Sequence, residues 1–197
     1  MRYWPMVVSS TGTAPSLTDR RAGKASEAFS TMRKNPKPLL LVDIDGVLSL
    51  FGFASDSRPE GVWLNVDGIV HLISATAAEH LQRLGAAYEL VWCSGWEEKA
   101  NEHLVGAIGL AGPLPFLTFP PGDGGRHWKL ASIEAHAAQR PLAWIDDAHD
   151  EGCQRWASER QAPTLLVATD PAVGLTEAQV SELERWAREL RSASSAS

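Results

Sequence analysis

The run Leu39-Leu40-Leu41-Val42-Asp43-Ile44-Asp45-Gly46-Val47-Leu48 constrains the fold more than any other stretch: a continuous apolar segment closes on two carboxylates one residue apart and then a glycine. Apolar residues without polar alternation predict a strand buried on both faces, as in the parallel sheet of an α/β protein. Ionised side chains are rarely buried without partners, so Asp43 is expected where the strand leaves the core, the edge at which open α/β sheets bind ligands. A pair of carboxylates there suits Mg²⁺, a hard cation that takes oxygen ligands. An Asp-x-Asp-Gly stretch can also be a turn after a strand, so other segments have to decide.

Those segments alternate strand and helix. Val62–Val66 and Ile69–Ile73 flank Asp67-Gly68, a strong hairpin signal. A helix is expected from about Ala75 to Leu84 with Gly85 as its stop, followed by a strand from Tyr88 to Cys93. Further expectations are a helix from Trp96 to about Ile108, a short strand over Phe116–Phe119, a helix over Trp128–Gln139, and strands at Leu142–Ile145 and Thr164–Ala168. The last helix starts at Thr176, with Gln179 completing a capping box, and buries Val180, Leu183, Ala187 and Leu190. The alternation predicts a three-layer, Rossmann-like parallel sheet flanked by helices.

With 197 residues and 44% hydrophobic composition, the chain can bury a full core, and it reads as one domain with tails. A net charge of -6 argues against a broad electrostatic nucleic-acid surface, though not against a local basic groove. Two cysteines, Cys93 and Cys153, cannot build a disulfide framework, which favours a reducing compartment. No window has the apolar length of a membrane span, and Met6-Val7-Val8 is too short for a signal-peptide core. A cytoplasmic protein without membrane contact is expected. Residues 1–37, ending in Asn35-Pro36-Lys37, read as a disordered leader, 38–191 as the folded domain and 192–197 as a frayed tail.

Placed on this frame, Asp43 and Asp45 end the first strand, Ser94 follows the next and Asp146-Asp147 end another, with Lys129 at the start of the preceding helix. A carboxylate nucleophile, a second carboxyl, a hydroxyl, a cation and a metal-binding acidic pair are the parts of phosphoryl transfer through an aspartyl phosphate.

In motif order and spacing the chain resembles the haloacid dehalogenase-like (HAD) superfamily. Asp43-Ile44-Asp45-Gly46-Val47 resembles its first motif, Val91-Trp92-Cys93-Ser94 its second, Lys129 its third and Trp144-Ile145-Asp146-Asp147 its fourth. A weaker likeness, in Trp92–Trp96 and Thr169–Thr176, points to the HAD domains of bacterial RNA-repair proteins. The resemblance implies that Asp43 is the nucleophile and Asp45 the general acid and base, with Ser94 and Lys129 on the phosphoryl group. Mg²⁺ would be held by Asp43, the backbone carbonyl of Asp45, Asp146 and Asp147, with Asp150 in reserve. Members with an acid at the position of Asp45 are generally phosphatases or phosphotransferases.

Between Asp45 and Ser94 lie 48 residues, and between Ser94 and Lys129 lie 34. That leaves room for a small β-hairpin flap over about 49–73 and no large cap. An open site suits a bulky phosphomonoester such as a nucleic-acid end or a protein phosphate. Gly95, Trp96, Trp63 and Arg126 are the candidate substrate contacts, the indoles as stacking surfaces. His71, His80, His103, His136 and His149 show no metal-ligand spacing and read as surface or satisfied histidines.

Other chemistries fit poorly. A cysteine phosphatase needs Arg six positions after its nucleophile, where this chain has Lys99 and Glu159. A receiver domain orders its acids differently, and no Gly-rich phosphate loop followed by Lys-Ser or Lys-Thr is present. The alternative from another class is a catalytically weak Mg²⁺- and phosphate-binding module on the same scaffold.

Overall fold

The computed structural model describes residues 36–120 and 127–195. Of the expected leader only Pro36 and Lys37 fall within it, and Arg126 lies outside the described residues. In chain order the elements are β1 (Leu39–Val42), β2 (Ser49–Leu50), β3 (Gly61–Val66), β4 (Ile69–Ser74), α1 (Ala77–Ala87) and β5 (Glu89–Trp92). There follow α2 (Lys99–Ala107), α3 (Leu130–Ala137), β6 (Leu142–Asp146), α4 (Glu151–Glu159), β7 (Thr164–Ala168) and α5 (Glu177–Ser195).

Four strands form a parallel sheet in the order β5-β1-β6-β7. All four residues of β1 are fully buried, because both of its faces are covered. Leu40 and Val42 share one core with Leu81 and Leu84 of α1, Leu104 of α2 and Val180 and Leu183 of α5. Leu39 and Leu41 share the other with Leu130 and Ile133 of α3 and Cys153 and Trp156 of α4. Side chains alternate between sheet faces, so a run of four leucine and valine residues feeds two cores at once. Each such burial contributes about 1.5–3 kcal/mol. The expected three-layer α/β architecture is the observed one.

A second, antiparallel sheet in the order β2-β4-β3 occupies the stretch expected to be a flap. Its tip is a two-residue turn in which Asp67 (φ 52°) and Gly68 (φ 86°) both take positive φ, the geometry that matches strand twist in a tight hairpin. The Gly68 amide donates to Asn65 Oδ1 at 3.0 Å, and the Lys99 ammonium pairs with Asp67, tying the tip to the start of α2.

Several boundaries differ from those read in the sequence. Gly85 does not stop α1; the helix continues to Ala87 because Leu84 and Tyr88 are buried, and the Tyr88 amide closes the last turn on Leu84 O at 2.9 Å. A mid-helix glycine costs only about 1 kcal/mol, which this packing outweighs. Phe116–Phe119 is not a strand but a single bridge, Pro115 O and the Leu117 amide bonding to Trp92 at 2.8 and 2.9 Å. Pro113, Pro115 and Pro120 remove the donors a longer ladder needs.

The helix expected from Trp96 begins only at Lys99, since Glu97 sits at φ 49° in the turn. The helix expected to reach Gln139 ends at Ala137, where Ala138 turns to φ 46°. Helix α4 was not anticipated, and Leu190 is only partly buried. The expected tail from Ser192 is helical through Ser195. The capping box is present: the Thr176 amide donates to Gln179 Oε1 at 2.8 Å and the Gln179 amide to Thr176 Oγ1 at 3.4 Å. Among the described residues no helix is long and apolar enough to cross a membrane.

Candidate active site

Parallel register decides which side chains meet. Val42 stands opposite Trp92 on one side and Ile145 on the other, so Asp43, the Cys93-Ser94 pair and Asp146 leave their strands at one level. The bonds from the Asp43 amide to Ile145 O (3.0 Å) and from the Cys93 amide to Val42 O (2.8 Å) hold that level.

Lys129, at the N-terminus of α3, reaches into this edge and is 3% exposed. Its Nζ lies 2.9 Å from Asp43 Oδ2 and 2.7 Å from Asp146 Oδ2. Asp146 is also held by Trp144 Nε1, which donates to Oδ2 at 3.1 Å, and by the Ala148 amide, which donates to Oδ1 at 2.9 Å. Asp147 completes a cluster in which one carboxylate oxygen from each of Asp43, Asp146 and Asp147 lies within 4.8 Å of the others.

Two carboxylates thus share one ammonium, with a third beside them. Burial pushes Asp43 up to about 6, Lys129 opposing and Asp146 reinforcing the rise. Burial, then the Asp146 charge, also raises Asp147. For Lys129 burial disfavours the charged form, but Asp43 and Asp146 outweigh it and hold the ammonium above its usual range. The array is a rigid cage of oxygen donors with unneutralised negative charge.

That donor set fits Mg²⁺, and the backbone makes room for it. Gly46 has φ +74°, and a Cβ there would lie 2.4 Å from the Asp147 carboxyl carbon, so only glycine lets Asp147 approach. Oxygen-only ligands around a small cage are what a hard divalent cation takes. Asp43, Asp146 and Asp147 are the residues that could hold it. The Asp45 carboxylate is outside this cluster. Asp150, the reserve ligand, is instead the N-cap of α4: its Oδ1 accepts from the Cys153 amide at 2.8 Å, and it is exposed.

The Asp45 carboxylate meets the turn after β5 and the flap. Trp96 Nε1 donates to its Oδ2 at 2.8 Å, and His71 Nδ1 lies 3.5 Å from its Oδ1. Trp96, expected as a stacking surface, therefore has its polar edge committed to an acid. Ser94 is buried at the end of β5, and Gly95 follows with its Cα beside Trp128. Trp63 stands half exposed on β3 with Arg58 6.0 Å over its ring.

Two kinds of residue escaped the sequence reading. Trp128 had been read only as a helix start; it is 45% exposed, 5.1 Å from Lys129 Nζ and 3.6 Å from where a Gly95 Cβ would stand. Its place one residue before the lysine was the available signal. His71 and His149 are among the five histidines expected to be surface or satisfied ones. His71 touches Asp45, and His149 has both ring nitrogens buried without partners against Trp144, where burial pushes the imidazole down to about 4. Neither position carries a local pattern that would reveal this.

A parallel sheet with acids at the carboxyl ends of two adjacent strands, a buried lysine between them and a small flap defines a HAD-like α/β protein. A family model described as the HAD domain in Swiss Army Knife RNA repair proteins matches residues 39–180, and the chain belongs to that family. No curated protein matches the chain. Membership implies phosphatase-type hydrolase chemistry, and HAD domains generally use Mg²⁺, with which the acid cluster is compatible.

Proposed function

We propose that the protein is a Mg²⁺-dependent phosphomonoester hydrolase that works through an aspartyl phosphate on Asp43. The observation that carries this reading is the buried Asp43–Lys129–Asp146 array, 2.9 and 2.7 Å across its two contacts, beside Asp147. A structural ion pair needs one acid; a third carboxylate in the same cage has no structural use.

In the first half-reaction an Asp43 oxygen forms a bond to phosphorus while the bond from phosphorus to the leaving oxygen breaks. Asp45 gives its proton to that oxygen, which departs as an alcohol. In the second, a water oxygen bonds to phosphorus, Asp45 takes the water's proton, and the Asp43–phosphorus bond breaks, returning Asp43 and releasing inorganic phosphate. Lys129 holds the Asp43 carboxylate in place and offsets charge on the transferring group, and the Ser94 hydroxyl donates to a phosphoryl oxygen. Asp43, Asp146, Asp147 and the Asp45 carbonyl would hold Mg²⁺, which would further neutralise the phosphoryl charge.

For the substrate we favour a phosphorylated nucleic-acid end. Trp128 offers a half-exposed ring within reach of the phosphate-binding lysine, and indole faces stack on bases of any identity. The family's description, RNA repair, agrees with that class. The flap, Ser49–Ser74, is too small to enclose a polymer, so an end can enter from solvent.

The test is inorganic phosphate release with Mg²⁺ from 3′- and 5′-phosphorylated oligonucleotides and from small phosphomonoesters, with Asp43→Asn as control. Expected is turnover on at least one oligonucleotide end that falls by about 10³-fold or more in the variant. Turnover that survives in Asp43→Asn would remove the nucleophile assignment and with it the reading. Turnover confined to small esters would remove the nucleic-acid end.

A further inference from the structure

Only one residue separates Asp43 from Asp45, yet only Asp43 belongs to the carboxylate cage. The Asp45 side chain is 48% exposed, and a short acid with that much freedom samples several rotamers unless something holds it. Here both of its oxygens have neighbours, and the neighbours come from separate parts of the chain. Trp96, in the turn after β5, donates its indole N–H to Oδ2 at 2.8 Å. His71, on β4 of the flap, places Nδ1 3.5 Å from Oδ1. The imidazole is in turn fixed by Ser49 Oγ of β2 at 2.9 Å from the same nitrogen, and its ring meets Trp96 edge-on at 4.6 Å between centroids.

We infer that Trp96 and His71 are positioning residues that hold Asp45 in place as the general acid. The inference rests on the phosphatase reading above. The argument begins with the indole nitrogen, which can only donate. Oδ2 must therefore present a lone pair to Trp96, which fixes that edge of the carboxyl. At 3.5 Å the His71 contact is too long to be a strong hydrogen bond. The imidazole bounds the swing of Oδ1 without engaging it in a short hydrogen bond. A general acid works only within hydrogen-bond reach of the atom it protonates, so freezing this carboxyl raises the fraction of productive encounters.

The arrangement also gives the flap a chemical task. Strand β4 is anchored at its hydrophobic end by Leu72 and Ile73 and at the turn by the Lys99–Asp67 pair, so His71 rides on a braced hairpin rather than a loose loop. The Asp45–Ser49 backbone bridge keeps β2, and with it the Ser49 hydroxyl, beside the acid. The flap thereby closes the far side of Asp45, as Trp96 closes the near side.

A positioned general acid has a signature that a merely structural residue lacks: it matters in proportion to how badly the leaving oxygen needs a proton. A 5′-phosphorylated oligonucleotide expels an alkoxide unless protonated, whereas a nitrophenyl phosphate expels a stable phenolate unaided. The measurement is kcat/KM, which reports the step that breaks the ester bond, for both substrates in the parent, Trp96→Phe, His71→Phe and His71→Asn. Expected for Trp96→Phe is a fall of about 10²-fold on the oligonucleotide, at the lower end of what general acids contribute, and little change on the nitrophenyl ester. His71→Phe shows a smaller loss with the same contrast, and His71→Asn, whose amide reaches the place of Nδ1, recovers most of it.

An equal fall on both esters, or none on either, would overturn the positioning role while leaving the phosphatase reading intact. A parent inactive on both esters, or one whose turnover survives in Asp43→Asn, would overturn that reading and this inference together. Should Trp96→Phe fail to show a cooperative unfolding transition, the His71→Phe and His71→Asn pair decides by the same contrast.

Discussion

The floor of the site and the flap above it are built on opposite physical principles. The floor grows from β1, every residue of which is fully buried, and its acids are fixed by register, by Lys129 and by the Trp144 indole. The flap is a three-stranded antiparallel sheet that exposes Val62, Trp63, Ile69 and Val70 and reaches the chemistry through one imidazole. Asp43 and Asp45, one residue apart, record the contrast: the first is a buried carboxylate pushed toward neutrality, the second an exposed one held by side-chain contacts. A single short motif therefore places two acids in different environments, and it is environment rather than residue type that suits them to the two tasks proposed above.

The sharpest break in that contrast is Lys129→Met. It leaves Asp43 and Asp146 buried without their counter-charge, and losing one partner of a buried pair costs about 3–5 kcal/mol. A urea unfolding curve in chelator is expected to show that loss, and phosphate release should vanish with it. An unchanged midpoint would mean the cage is not held by its lysine. Next comes Leu40→Ala, which opens a cavity in a core covered on both sides and is expected to cost about 2–5 kcal/mol. Its counterpart Val70→Ala, on the exposed face of the flap, is expected to stay within about 0.5 kcal/mol. Equal costs at the two positions would show that the flap is part of the core after all.

The same contrast explains what was legible beforehand. The sheet could be read because parallel strands leave apolar runs, and the floor of the site because its acids sit at the ends of those runs. Asp43, Asp146 and Asp147 lie together for that reason, and Lys129 reaches them from the start of α3. What the sequence concealed depends on tertiary contact. Trp96 reads the same whether its indole N–H faces a base or Asp45, and His71 carries no motif that announces its Ser49 and Asp45 neighbours. Asp150 is a reserve ligand only on the family resemblance, and the helix that follows it uses its carboxylate as a cap. Gly85 looked like a stop because propensity is local, while the burial of Leu84 and Tyr88 that overrides it is not.

The mildest test separates floor from flap by pH. In metal-free protein, burial raises the Asp43 carboxyl from its ordinary 3.8 to about 6. Between those values the folded state binds more protons at this group than the unfolded state does. Its contribution to stability is thus fully present below about pH 3.8 and is lost as pH rises through about 6. The unfolding midpoint of the parent in chelator, taken relative to Asp43→Asn, is expected to decline from pH 4.5 to pH 7. Added Mg²⁺ should reverse the trend, because a cation bound by the ionised cage stabilises the fold more as the proton leaves. Parallel profiles for parent and variant in chelator would show that Asp43 is not the strained acid of the cage. Parallel profiles with Mg²⁺ alone would place the cation elsewhere. The Asp45 carboxylate lies outside that cage, so Asp45→Asn is expected to keep the parent's stabilisation by Mg²⁺.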